Sequence, residues 1–107
     1  MKLPGTQPEG ITIKSDKELA LMREAGYVVA CAKLRLREAI VAGLTTIELD
    51  RLAEDEIRRL GATPSFKGYL GSSASPFPAS ICVSLNEEVV HGIPDDTMLR
   101  EGDIVSI

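Results

Sequence analysis

A chain of 107 residues fits one small domain, and 44% apolar composition is enough for a core. Its 12 lysines and arginines against 16 aspartates and glutamates leave a formal net charge of -4, which offers no basic surplus for neutralising phosphates and excludes a general nucleic-acid binder. The two cysteines, Cys31 and Cys82, form no CxxC pair and read as packed thiols of a reducing cytosol rather than as a disulfide framework.

The first ten residues, rich in proline and glycine, carry no apolar run of the signal-peptide kind and are expected to form a mobile arm ahead of a domain over 11–107. No window approaches the ~20 apolar residues of a bilayer span, so no membrane association and a cytoplasmic location are expected. Ser15 followed by Glu18 is a capping box, in which a hydroxyl caps one orphan amide and a carboxylate reaches back to another. Leu19, Met22, Ala25, Val29, Ala32, Leu36 and Ala39 recur at helical spacing, and Gly43 can supply a left-handed stop. The spacing predicts a helix from about Asp16 to Ala42.

Thr45 and Glu48 repeat the capping box, and Leu49, Leu52, Ala53, Ile57 and Leu60 carry a second helix to Gly61. Glu54 with Arg58, and Asp55 with Arg59, set acid before base four residues apart on its exposed side, each pair worth about 0.2–0.5 kcal/mol. The short link between the helices favours antiparallel neighbours. After Pro64 the pattern becomes period two. Ile81, Val83 and Leu85 alternate with Cys82 and Ser84, Asn86-Glu87 forms a turn, and Glu88–His91 is expected to return as the partner strand. Turns follow at Pro94-Asp95-Asp96 and Glu101-Gly102, and Ile104–Ile107 begins another strand. The order is α+β: two antiparallel helices, then an antiparallel sheet. A charged carboxylate on the apolar Ile107 would sit where a core expects a neutral peptide, so the chain is expected to continue past it.

Few residues here can carry chemistry. His91 is the single histidine. One reading is a ring closing a strand and hydrogen-bonded near a turn. The other uses Val89 and Val90 as a rigid support, Gly92 as a point of close approach and Pro94 as a stiff exit, so that the ring is presented to a ligand. The pairs Glu87-Glu88 and Asp95-Asp96 are adjacent in sequence and would point to opposite faces of a strand, which makes them poor chelates and better turn residues. Asp103 likewise reads as a turn residue. Cys82 has no second histidine to activate it and reads as a packed strand residue. Phe66, Tyr69 and Phe77 are three of the four aromatics, and from composition alone they could be ordinary core.

Two segments, Phe77 to Pro94 (FPASICVSLNEEVVHGIP) and Gly102 to Ile107 (GDIVSI), closely resemble type I methionine aminopeptidases. The resemblance spans nearly all of this chain but less than half of such an enzyme. It implies part of the pita-bread α/β fold. It also implies a complete enzyme that uses two divalent ions (cobalt, manganese, iron or zinc) to remove the initiator methionine from nascent proteins. By the same resemblance His91 contacts the substrate near the cleaved bond and helps to stabilise the transition state. Phe66-Lys67-Gly68-Tyr69 and Phe77-Pro78 correspond to segments lining the methionine pocket, where an unbranched thioether suits aromatic walls. The family's five metal ligands, two aspartates, a histidine and two glutamates, would all lie past position 107, so no metal ligand is assigned and the chain alone is expected to be inactive. Ser72-Ser73-Ala74-Ser75-Pro76 lengthens a loop that is short in many relatives. HGIP and the length of the preceding arm favour the methionine enzyme over prolidase-like or non-peptidase relatives. A different class of function also fits: a non-catalytic assembly module whose open sheet edges and uncovered apolar face self-associate or pair with a separate C-terminal half.

Overall fold

The computed structural model describes residues 10–71 and 75–107. All of the expected mobile arm except Gly10, together with Ser72–Ala74 of the long loop, lies outside the described residues.

Helix α1 runs Asp16–Ala39. Its capping box is formed: the Glu18 amide donates to Ser15 Oγ at 3.3 Å and the Ser15 amide to Glu18 Oε2 at 2.7 Å. The helix stops three residues before the expected Ala42, because Ile40 is extended at ψ 110. Gly43, at φ 94, is therefore not its stop signal. It turns the connector instead, so that the Gly43 amide donates to the Leu99 carbonyl at 2.8 Å while the Leu99 amide donates to the Leu44 carbonyl at 2.8 Å. Of the predicted apolar stripe only Ala32 and Leu36 are buried; Leu19, Met22 and Val29 face outward.

Helix α2 runs Thr46–Arg59 and packs against α1. It opens on the Thr45–Glu48 capping box. It closes with Gly61 at φ 78, the Gly61 amide donating to Arg58 and the Ala62 amide to Ile57, the paired bonds of a Schellman end. Glu54 pairs with Arg58 as expected, but Arg59 reaches Glu56 at 2.6 Å rather than Asp55, since residues three apart on a helix surface are neighbours just as residues four apart are.

The sheet differs most from expectation. Strand β1 is Ser84–Leu85 and strand β2 is Val105–Ser106, antiparallel with Ser84 opposite Ser106 and Leu85 opposite Val105. Glu88–His91 is not the partner strand. Val89 and Val90 are 87% and 64% exposed: two adjacent valines have no alternation with which to bury one face. Asn86 decides the pairing. At φ 52 it donates its backbone amide to the Ile104 carbonyl at 2.9 Å and its side-chain amide to Asp103 at 3.0 Å, and its side-chain oxygen accepts from the Ile104 amide at 3.0 Å. Asp103, which also accepts from the Arg100 amide, thus ties a turn to β1 as well as forming one. The core lies where the end of α1, α2 and this small sheet meet: Leu36, Leu49, Ala53, Val83, Leu85 and Leu99.

Candidate functional site

The buried face of α2 carries two acids as well as its leucines. Asp50, 5% exposed, accepts from the Ser80 amide at 2.8 Å and the Ile81 amide at 2.9 Å through one carboxylate oxygen. Glu54, one turn further on, accepts from Lys67 Nζ at 2.6 Å, from Arg58, and from Ser80 Oγ at 3.1 Å. Lys67, then Arg58, and more weakly Ser80, hold the Glu54 carboxyl at about 2, well below its usual 4.5, against the opposing cost of desolvation. The segment between these anchors closes on itself, the Gly68 amide donating to the Phe77 carbonyl and the Phe77 amide to the Tyr69 carbonyl, both at 2.8 Å.

This closed loop and the bend at His91 form a groove of about 960 Å³, within the range of small-ligand sites. Phe66, Tyr69, Phe77, Cys82, His91 and Ile93 line it, with Ser75 and Pro76 of the lengthened loop at its rim. The residues singled out from sequence are therefore brought together. Phe66 and Tyr69 are exposed and Phe77 is half-buried, so these three rings are not core. Cys82 is half-buried, lies just before β1 rather than in it, and has its thiol pushed up by burial, which keeps it neutral.

His91 occupies a bend at φ 59, a left-handed conformation rare for a residue with a side chain. What holds it there is Gly92. The Val83 amide donates to the Gly92 carbonyl at 2.9 Å and the Gly92 amide to Ser84 Oγ at 3.1 Å. A Cβ on Gly92 would collide with the Val83 carbonyl oxygen, so the close approach is open only to glycine. Three residues on, Asp95 is fixed to the start of α2: its amide donates to Thr46 Oγ1 at 2.8 Å and its carbonyl accepts from the Ile47 amide at 2.9 Å. The imidazole is left exposed between the aromatic groove and a smaller polar one of about 420 Å³.

The carboxylates do not assemble a metal centre. Among the described residues no three His, Cys, Asp or Glu side chains stand close enough to share an ion. Asp50 and Glu54 are committed to amides and cations, Asp95 to the Thr97 amide at 2.8 Å, and Asp103 to Asn86 and Arg100. Sequence reasoning missed Asp50 and the reach of Glu54 beyond Arg58. The available signal was their phase: they lie beside Leu49 and Ala53 at i, i+4 spacing, on the edge of the apolar stripe rather than opposite it.

Comparison with known proteins identifies the family of the chain. The pattern of metallopeptidase family M24 matches residues 20–107. Methionine aminopeptidase 1 of Bacillus subtilis is 52% identical over 97 residues, covering 91% of this chain and 37% of its own length. The methionine aminopeptidase of Clostridium acetobutylicum is 53% identical over 98 residues, with the same shares. In the crystal structure of methionine aminopeptidase from Thermotoga maritima the matching region superposes with a TM-score of 0.81 at 41% identity, covering 89% of this chain and 36% of that one. The chain thus spans little more than a third of the relatives it matches. The chain belongs to metallopeptidase family M24, and the members it matches in both sequence and fold are methionine aminopeptidases.

Proposed function

We propose that this chain forms the substrate side of a methionine aminopeptidase active site, the first part of a pita-bread catalytic domain built from residues 11–107 and acting in the cytoplasm on peptides and nascent proteins that begin with methionine. The observation that carries this reading is the aromatic groove with His91 presented at its edge in a left-handed bend. An unbranched thioether fills a slot between Phe66, Tyr69 and Phe77 with soft contacts to ring edges. Burying such a side chain is worth about 1.5–3 kcal/mol, enough to prefer it over glycine or alanine by one to two orders of magnitude. With the side chain seated, the exposed imidazole stands where it can donate a hydrogen bond to the amide being cleaved, a role that needs position more than burial.

The divalent ions on which the family depends supply an activated water in the complete enzyme. The residues described here do not fit that centre, and no step through it is assigned to them. The 107 residues supplied alone with cobalt or manganese and a Met-Gly-Met peptide are therefore expected to release no methionine; sustained turnover would refute this account. Binding is tested separately, by titrating the isotopically labelled chain with L-methioninamide. Shifts should concentrate on Tyr69, Phe77 and His91, and L-lysinamide should be far weaker. His91→Asn, which tolerates the left-handed backbone, should leave side-chain binding in place. Equal shifts with both amides would sink the proposal.

A second reading, the assembly module, is favoured by the outward-facing Leu19, Met22 and Val29 along α1 together with Ile11 and Ile13 ahead of it. Light scattering after size exclusion decides it: a monodisperse monomer at high concentration removes self-association.

A further inference from the structure

Asp50 and Glu54 sit outside the groove, yet among the described residues each side-chain tether that joins its aromatic loop to α2 ends on one of them. Lys67 at the leading flank reaches Glu54; Ser80 and Ile81 at the trailing flank reach Asp50; and Ser80 Oγ bridges back to Glu54. The loop between these points is irregular, without helix or strand in its described part, and closes on itself through Gly68, Tyr69 and Phe77. Such a loop keeps its own shape, and Ala79, buried beside Ser80, seats its trailing end, but its leading flank needs a tether to have a set position against α2. The two acids supply the tethers. They lie four residues apart on one face of a capped helix, a spacing that fixes the distance between the flanks they hold.

From this arrangement we infer that Asp50 and Glu54 are positioning residues that set the place of the aromatic wall of Phe66, Tyr69 and Phe77 against His91. The inference rests on the groove being the binding surface proposed above, and its consequence is that substrate fit is tuned from α2 without contact with substrate. Hydrogen bonds from amides and cations to a carboxylate are among the stronger protein interactions, and a partly buried carboxylate left unpaired is costly, so the clamp has the strength to hold a loop. Asn86, Asp103 and Asp95 tie other turns but touch neither flank of this loop.

The test is amide hydrogen exchange on the 107-residue chain, read at Gly68 and Phe77, whose amides close the loop. Glu54→Gln and Lys67→Met should each speed exchange there by about fivefold, the upper end for a part-exposed ion pair, and the double variant should add little. Leu49 and Ala53, in the body of α2, should be unaffected. Arg58→Met breaks the other ion pair of Glu54 without touching the loop and should change nothing at Gly68 or Phe77. Asp50→Asn keeps an acceptor oxygen and should preserve protection at Ser80 and Ile81, whereas Asp50→Ala should lose it; Lys67→Met keeps the question answerable if Asp50→Ala fails to fold. L-Methioninamide affinity should weaken by the same factor as loop protection in each variant. Unchanged exchange at Gly68 and Phe77 in both Glu54→Gln and Lys67→Met, or a rise shared equally with Leu49 and Ala53, overturns the inference. If the unsubstituted chain binds no methioninamide, the reading of the groove fails while the exchange data still decide the clamp.

Discussion

Replacing Gly92 by alanine adds one methyl group at the most constrained backbone contact near the candidate site. The new Cβ would stand 2.7 Å from the Val83 carbonyl carbon and closer still to its oxygen, whereas contact with Glu88 at 2.8 Å can be relieved by swinging a flexible side chain. Val83 cannot move in that way: it is 2% exposed in the core and leads into β1. The strand and the bend must therefore separate. That stretches the Val83-to-Gly92 and Gly92-to-Ser84 hydrogen bonds, each worth about 1 kcal/mol, on top of roughly 1–3 kcal/mol for overpacking. The expected loss is about 3 kcal/mol, which at a urea slope of about 1.5 kcal/mol/M lowers the midpoint by about 2 M. Gly26→Ala is the matched control. Gly26 lies inside α1 with nothing within 4 Å of its virtual Cβ, so the same methyl should stabilise by about 0.5–1 kcal/mol. A loss under 0.5 kcal/mol for Gly92→Ala with an unchanged slope would refute the steric argument, and with it the account of what holds His91 in its bend.

Other perturbations have equally definite signs. Thr46→Val keeps the shape of a residue only 3% exposed but removes the hydroxyl that accepts from the Asp95 amide; a loss of about 1–2 kcal/mol in urea, with faster exchange at Asp95, is expected. Ser15→Ala removes one half of the α1 capping box and should lower stability by about 1 kcal/mol, read as a fall in melting temperature. Glu18, Glu48, Glu54, Glu56, Asp95 and Asp103 all have folded pKa values below their ordinary ones, Glu54 at about 2. Their contribution is complete above the ordinary carboxylate range and is lost as pH falls through it. The fold should therefore hold steady near neutrality and weaken below about pH 4.5, Glu54 being the last to yield. At the other end the Cys82 thiol is raised above its ordinary 9.0, so its contribution is present below that value and is lost at higher pH; a denaturation series from pH 2 to 10 reads both limbs.

The helices were legible because their signals are local. A capping box and an i, i+3, i+4 stripe involve residues within one or two turns, and both helix starts fall where Ser15 and Thr45 place them. The first helix end was misplaced for a long-range reason: Gly43 serves Leu99, 56 positions later in sequence, and nothing near Gly43 records that. The hairpin failed similarly. Asn86-Glu87 has the composition of a tight turn, but pairing is decided by Asn86 reaching Asp103 and Ile104, a contact of sequence separation 17 and 18. The aromatics and His91 could be chosen by motif, and the structure gathers them at one groove. Asp50 could not be chosen by residue type, since an acid on a helix surface is ordinary. Only its phase beside Leu49 distinguishes it, and only the fold shows two loop amides arriving there.

These contacts give α2 an organising role that its surface charges conceal. Its first residues hold Asp95 and Thr97, just past the bend that presents His91; Asp50 holds the trailing flank of the aromatic loop; Glu54 holds the leading flank. From Thr46 to Glu54 the helix advances about 12 Å at 1.5 Å per residue, which separates the attachment points of the histidine bend and of the aromatic loop. Both ends of the helix are capped by short-range bonds, so the spacer is closed against fraying at the turns that bear these tethers. The apolar face of the same helix, Leu49 and Ala53, is fully buried against the core. One helix therefore couples the stability of the fold to the width of the groove. A change in the core that tilts α2 moves both walls together, whereas a change at one acid moves only one wall.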